Sequence, residues 1–512
     1  MPVINDDIFD ALNIGIEKES LRVLNQKISQ VSHNTELFGS ALTNQFITTD
    51  FSESQMEFVT PPLKTNAEAL NFLDSIHLNV SKKIDEEILW PLSMPPFIEC
   101  DSNIPIAYYG QSEAAMLKRI YRLGLSNRYG RQMQAISGIH YNFSIDDKML
   151  RYLSSDDSLI DRELKDSLYL SAIRNIARLN WLLLYLFGAS PFVSKSILEK
   201  ENKNFKQLDN HTYYLPYATS LRMSDIGYQN TKQKELQISL NKLSEYIDQL
   251  KTATNTISNE FSKIDSKKGF SLFQLSPNIL QIEDEYYSSS RPKSSYNSED
   301  RMLKKLQEYG VDYIELRSID LNPFKPCGIG LRNLLFLELF LIYCLQKDSA
   351  ELNDYETKEI RNNDLLVSKE GRRPGLMITK SKNKISVKDW GLEILDEMEE
   401  LISESNIKKD LFYESLSESR KMLQDPNLTP SSEVFSQVID SNISYEEFGK
   451  NLGESHKKQY LNSFDKKSDN ERVIEKEIER SKIESEKLKN TSEESFKKYL
   501  QNYLNNKEDK HP

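Results

Sequence analysis

The chain has 512 residues, of which 38% are hydrophobic, 10% aromatic and 28% charged, enough apolar side chains to exclude wholesale disorder. Lys and Arg number 66 against 78 Asp and Glu, a net charge of -12, which excludes a generally basic nucleic-acid binder. It leaves room for a binder of anionic nucleotides, because divalent cations bridge acidic side chains to phosphates.

At roughly 100–200 residues per domain, the length predicts two to four domains or one large domain with appendages. The start, MPVINDDIFDALNIG, carries acid where a secretory signal needs a basic region. Next, residues 15–22 (GIEKESLR) read as a strand on which Glu17 and Glu19, two apart, face the same side. Carboxylates about 7 Å apart on one face repel unless cations sit between them. Residues 47–62 place Asp50 at a turn and Glu57 in a strand-like run, a third candidate ligand. Leu70, Leu73, Ile76, Val80 and Ile84 predict a helix over 66–88. In 137–144, His140, Asn142 and Ser144 share one face of a strand, while Ile139, Tyr141 and Phe143 share the other.

Residues 159–187 and 330–346 read as core helices. Their most apolar runs, 181–188 and 334–345, fall short of the about 20 residues that cross a bilayer, and the second contains Glu338. Leu236, Leu240, Leu243, Ile247 and Leu250 predict a long helix within 236–264. Residues 279–287 read as a strand with Gln281, Glu283 and Glu285 on one face, and the Ser-rich 288–300 as a mobile loop. In 312–320, Glu315 and Arg317 share a face opposite Ile314 and Leu316. From 465 to 494 the chain is mostly Lys, Glu, Ser and Asn, a solvated helix or linker. Thr491 and Glu494 have capping-box spacing ahead of Phe496, Tyr499, Leu500, Tyr503 and Leu504, an amphipathic helix docked on its own domain.

Any one of these strands alone reads as a half-exposed edge with its polar side in water. Together they concentrate Glu, His, Asn and Arg where solvent faces usually carry Lys, Thr and Ser. An oxygen-rich set with one imidazole suits Mg²⁺ or Mn²⁺ better than zinc. The expected architecture is an antiparallel sheet whose concave face holds a cation-loaded site. No GxxxxGK[ST] loop, kinase pattern, Rossmann glycine fingerprint or GxSxG nucleophile is present, so bound ATP must be held by metals and arginines. Cys100, Cys327 and Cys344 form no CxxC and read as inert packing residues. His33, His77, His211, His456 and His511 read as structural or exposed.

The stretches GIEKESLRV, ITTDFSESQMEFVTPP, WPLSMPP, NRYGRQMQAISGIHYNFS, YLFGASP, YYLPYATSLRMSDIGYQN, NILQIEDEYYSSSRPK and YIELRSIDLNPF follow one another in the order of proteobacterial-type glutamate–cysteine ligases. The chain resembles that family from about residue 10 to about 380 and more weakly to 465. The resemblance suggests a ligase domain over 1–465 and a charged helical tail over 466–512. It implies an α+β fold similar to the catalytic domain of glutamine synthetase: a curved, mainly antiparallel sheet flanked by helices. It implies ligation of L-glutamate to L-cysteine with ATP and Mg²⁺ (or Mn²⁺), the first step of glutathione synthesis. It further implies a cytoplasmic protein, expected to be monomeric, with no nucleic-acid or membrane partner.

By the same resemblance Glu17, Glu19, Asp50, Glu57, His140 and Glu315 are the metal-site set. Arg222 resembles the arginine that holds substrate glutamate, and Arg317 a phosphate contact; with Glu315 these form the expected catalytic group. Phe51, Tyr121, Leu125, Gln134, Tyr228 and Tyr287 resemble the cysteine-side pocket, with Arg291 beside it. Two other readings stand: a related ligase that joins glutamate to another amine, and a non-catalytic homologue that binds partners through its last helix.

Overall fold

The computed structural model describes residues 9, 11–154, 162–198, 204–227, 236–265, 272–296, 300–403, 409–462 and 468–505. Its centre is a sheet of β1 (Leu12–Leu24), β2 (Ile47–Thr49), β3 (Gln55–Val59), β4 (Ile139–Ile145), β5 (Ser290–Lys293) and β6 (Tyr313–Ile319). They lie in the order β5-β6-β4-β1-β3-β2, with every neighbouring pair antiparallel. The two-residue strands Lys27–Ile28 and Ile88–Leu89 pair with the far end of β1.

The period-two pattern decides what each face does. Leu12, Ile14 and Ile16 of β1, Ile139, Tyr141 and Phe143 of β4, and Ile314 and Leu316 of β6 join the main apolar core. Helices α1 (Asn66–Ser81), α2 (Glu113–Tyr129), α3 (Arg162–Phe187), α4 (Leu243–Asn255), α5 (Leu331–Gln346), α6 (Asp354–Glu370), α7 (Asp469–Lys487) and α8 (Glu493–Leu504) surround the sheet. Trp181–Phe187 of α3 is buried on every side, which is why it has no polar stripe. Among the described residues no helix is long and apolar enough to cross a membrane.

Several expectations need correction. The helix over 66–88 starts at a Thr65–Glu68 capping box but ends at Ser81; Ile84 stays buried, so the apolar spacing outlives the helix, and Asp85 is left-handed (φ 37°). In 236–264 only Leu243–Asn255 is helical. Asn241 exchanges side-chain hydrogen bonds with the Leu352 backbone, and Ser239 bonds Glu245 and Gln249, which holds the preceding chain out of the helix.

Residues 279–287 form no strand. Glu283–Glu285 is a 3₁₀ turn in which Glu285 accepts from the Gln281 amide and Glu283 from the Leu303 amide, so the acidic side chains do not share a strand face. Ser290–Lys293, expected within a mobile loop, is the edge strand β5, while 297–299 lies outside the described residues. The charge-rich stretch holds α7, which buries Ile474 and Ile478 in the main core. The cap of α8 is Ser492, not Thr491. As expected, α8 docks on the chain itself.

Candidate functional site

Strand register builds the site. Across β1 and β4, Glu17 stands opposite His140; across β1 and β3, Glu19 stands opposite Glu57; across β4 and β6, Asn142 stands opposite Glu315; across β5 and β6, Arg291 stands opposite Glu315. Cross-strand partners lie about 4.5–5.5 Å apart, so these acids and the imidazole form one surface. Between Leu316 opposite Tyr141 and Ile319 opposite Ile139, two residues, Arg317 and Ser318, face the single His140. Arg317, two residues after Glu315, keeps to its face and lines the cleft 3.1 Å from it.

The cleft over this face has a volume of about 960 Å³. Glu17, Glu19, Asp50, Glu57, His140 and Glu315 all line it, as do Phe51, Tyr121, Leu125, Gln134, Tyr287, Arg291 and Arg317. His140 Nδ1 lies 2.9 Å from Glu17 and 3.8 Å from Glu315, and its Nε2 lies 3.9 Å from Glu19. Ligand atoms of Glu17, His140 and Glu315 fall within 4.8 Å of one another. Asn142 donates to the second Glu17 oxygen at 2.7 Å, and the Gly138 amide donates to Glu19 at 2.9 Å. Glu19, Asp50 and Glu57 continue the acidic wall toward β3 without joining that tight trio.

One expected residue sits elsewhere. Arg222 is buried behind the wall and does not line the cleft; its Nη2 donates to the Arg317 carbonyl at 2.8 Å, and Asp320 is 3.5 Å from its Nη1. Tyr228 lies outside the described residues.

The acidic wall has two electrostatic ends. Burial resists ionisation of Glu315, but Lys293 and Arg317 hold its carboxyl well below the usual range. Glu17 is also buried, and its His140 hydrogen bond brings it below the ordinary value. Burial and the Arg317 charge lower His140, keeping a neutral imidazole with a lone pair to offer. At the other end burial and the Asp50 and Glu57 charges push Glu19 well upward. Burial and the Asp50 and Glu17 charges push Glu57 up to about 8. By the chemistry of its donors, this oxygen-rich set with one imidazole fits a hard divalent ion.

Some functional residues escaped the sequence reading. Lys293 is 3.6 Å from Glu315 and could have been found as the residue two after Arg291 on one strand face. Arg122 donates to the Asp50 carbonyl, and only the fold brings α2 there. Arg128 pairs with Glu285 at 2.9 Å, both fully buried, a pairing invisible while 279–287 reads as a strand.

The family model described as glutamate-cysteine ligase matches residues 4–367. A glutamate–cysteine ligase of Pseudomonas fluorescens is 41% identical over 86% of this chain and 84% of its own length. One of Janthinobacterium sp. (strain Marseille) is 38% identical over 97% of this chain and 95% of its own. The crystal structure of glutamate–cysteine ligase from Francisella tularensis in complex with AMP superposes with a TM-score of 0.89 at 31% identity, covering 97% of this chain and 98% of that one.

Proposed function

The chain belongs to the glutamate–cysteine ligase family, and on that premise we propose that its cleft joins the γ-carboxylate of L-glutamate to the amine of L-cysteine, driven by ATP and assisted by Mg²⁺. The observation that carries this reading is the register-built trio of Glu17, His140 and Glu315 with Arg317 beside it.

A carboxylate does not react with an amine directly, because oxide is a poor leaving group. Transfer of the ATP γ-phosphoryl to the glutamate side chain makes γ-glutamyl phosphate, whose leaving group is phosphate. The cysteine amine then attacks that carbonyl, and no covalent enzyme intermediate is needed. Glu17, His140 and Glu315 would hold one divalent ion, and Glu19, Asp50 and Glu57 the acidic remainder of the set. When bound, such ions neutralise the charge of the phosphates. Arg317 sets a cation beside the transferring group. Arg222, which the resemblance gives to substrate glutamate, is buried off the cleft, so in this reading it acts through Arg317, whose carbonyl it holds at 2.8 Å. Phe51, Tyr121, Leu125, Gln134 and Tyr287 form the amine side, with Arg291, whose guanidinium donates to the Asp284 carbonyl at 3.1 Å; Tyr228 is given to the same side by the family resemblance alone. The reading keeps the chain a cytoplasmic monomer, which light scattering of the purified protein checks.

The test is ADP release with ATP, Mg²⁺ and L-glutamate, with and without L-cysteine, alongside product mass. Cysteine-dependent release with the mass of γ-glutamylcysteine is the expected result. Glutamate-dependent release indifferent to cysteine would redirect the reading to another amine acceptor. Folded protein that releases no ADP would overturn it.

A further inference from the structure

Helix α8 lies beyond the residues matched by the family model and supplies no residue to the cleft wall. Its Phe496 is fully buried and Leu500 nearly so. They close an apolar cluster with Ile120 of α2 and with Leu275 and Ile282 of the segment that runs into β5. Polar contacts hold both ends of the helix. The Thr491 amide donates to the Gln111 carbonyl at 2.9 Å and its hydroxyl to Glu113 at 3.3 Å. Arg301, ion-paired with Glu283, donates to the Leu504 carbonyl at 3.2 Å.

The two elements under α8 are both walls of the cleft. Helix α2 brings Tyr121, Arg122 and Leu125, and the segment 275–287 brings Asp284, Glu285 and Tyr287. They also touch each other: Gln281 Nε2 donates to the Tyr121 carbonyl at 3.3 Å, and a Cβ on Gly124 would lie 2.0 Å from the Gln281 amide oxygen. That close approach leaves α2 no freedom to move inward. At the Arg128 end the two walls are tied by its ion pair with Glu285 at 2.9 Å; at the Ile120 end the side chains of α8 pack against both.

We infer that α8 is a positioning element for the amine acceptor: Phe496 and Leu500 hold α2 against the 275–287 segment at the spacing that suits a small amino acid and disfavours a longer one. This rests on the amine side of the cleft proposed above. Phe496 and Leu500 line no part of the cleft; they act through Tyr121, which packs against their cluster, and through Ile282 of the other wall. Removing either leaves an apolar void that the walls relax into, and small displacements of a substrate-positioning wall change rate and selectivity.

The test uses the full-length chain and compares wild type with Phe496→Ala, Leu500→Ala and the milder Phe496→Leu. KM is measured for L-cysteine, L-glutamate and ATP, together with the preference in kcat/KM for L-cysteine over the homologue one methylene longer. The KM for cysteine is expected to rise by about 5–20-fold in the alanine variants, with KM for ATP and kcat within about twofold. The preference for cysteine should fall at least about threefold, with Phe496→Leu between wild type and Phe496→Ala. A purely structural role lowers kcat through loss of folded enzyme and leaves KM and preference unchanged, and that result would overturn the inference. If Phe496→Ala does not fold, Phe496→Leu and Leu500→Val decide by the same two readouts at smaller amplitude. Wild-type enzyme without cysteine-dependent ADP release would instead refute the proposed function, before any variant is compared.

Discussion

The two faces of the central sheet come from the same strands, yet they surround buried ionisable groups with different neighbours. On the helical face Lys18 is 2% exposed and its Nζ lies 3.0 Å from His77 Nε2; burial lowers it to about 8, and His77 falls well below its ordinary value. Within the same helical layer Asp364 of α6 accepts one hydrogen bond, from Asn180 at 2.8 Å, and burial pushes it up to about 7. Each of these groups meets its burial by shifting toward its neutral form. On the cleft face acids stand in register beside other acids, with Arg317 and Lys293 neutralising one end. There Glu19 and Glu57 are pushed toward their neutral forms by one another and by Asp50, while Glu17 and Glu315 stay ionised beside His140, Lys293 and Arg317. A buried charge thus marks function only where its neighbours repeat its sign across strands.

The largest effect expected of that contrast is on turnover. Glu17→Gln and Glu315→Gln should lower kcat by at least about a thousandfold and also lower the melting temperature, because both carboxylates are held ionised by the imidazole and cations beside them. Steady-state kinetics and a melting curve check both halves, and two active variants would remove the trio from the site. On the opposite face Phe143→Ala should do the reverse. It should cost about 3–5 kcal/mol of stability in urea titration, with the KM for ATP held within about threefold in the molecules that remain folded.

Asp364→Asn carries the pH dependence. A carboxyl raised on folding from 3.8 to about 7 binds its proton more tightly in the folded state. Its stabilising contribution is therefore full below 3.8 and is lost as pH rises toward and through 7. Asparagine keeps the shape and stays neutral, and its amide could donate to Asn180 Oδ1, which is buried without a hydrogen-bond partner. The variant should be more stable than wild type by on the order of 2–4 kcal/mol at pH 8, with the gap narrowing toward pH 5. A gap independent of pH would show that Asp364 is charged throughout. At the small end, Lys27 and Glu99 pair at 2.8 Å with side chains 71% and 60% exposed, so Lys27→Ala should shift stability by less than about 0.5 kcal/mol.

Much of the site was readable from alternation. Glu17 with Glu19, His140 with Asn142, and Glu315 with Arg317 each share a face because a strand repeats every two residues, whatever it pairs with. The same rule misled at 279–287. There Glu283 and Glu285 alternate like a strand, but buried Arg301 and Arg128 pull the two carboxylates to different partners and wind the chain into a turn. Apolar spacing also misplaced helix ends, since Ile84 and Leu240 pack against the core from outside any helix. The Ser-rich composition around β5 concealed an edge strand, because edge pairing is made by backbone atoms that composition does not report.

What the sequence determined by itself was which residues share a face, and hence that acids, one imidazole and an arginine lie on one side of a sheet. The order of its motifs determined the family. Only the tertiary structure decided that Glu17 meets His140, that Glu19 meets Glu57, and that the register shifts between Leu316 and Ile319. It alone decided that Arg222 stands behind the wall and that α8 closes the outside of the cleft. The reason is physical. Alternation is a property of one strand and a few bonds. Register, bulges and docked helices depend on hydrogen bonds and apolar burial between segments hundreds of residues apart, whose energies appear only when those segments meet.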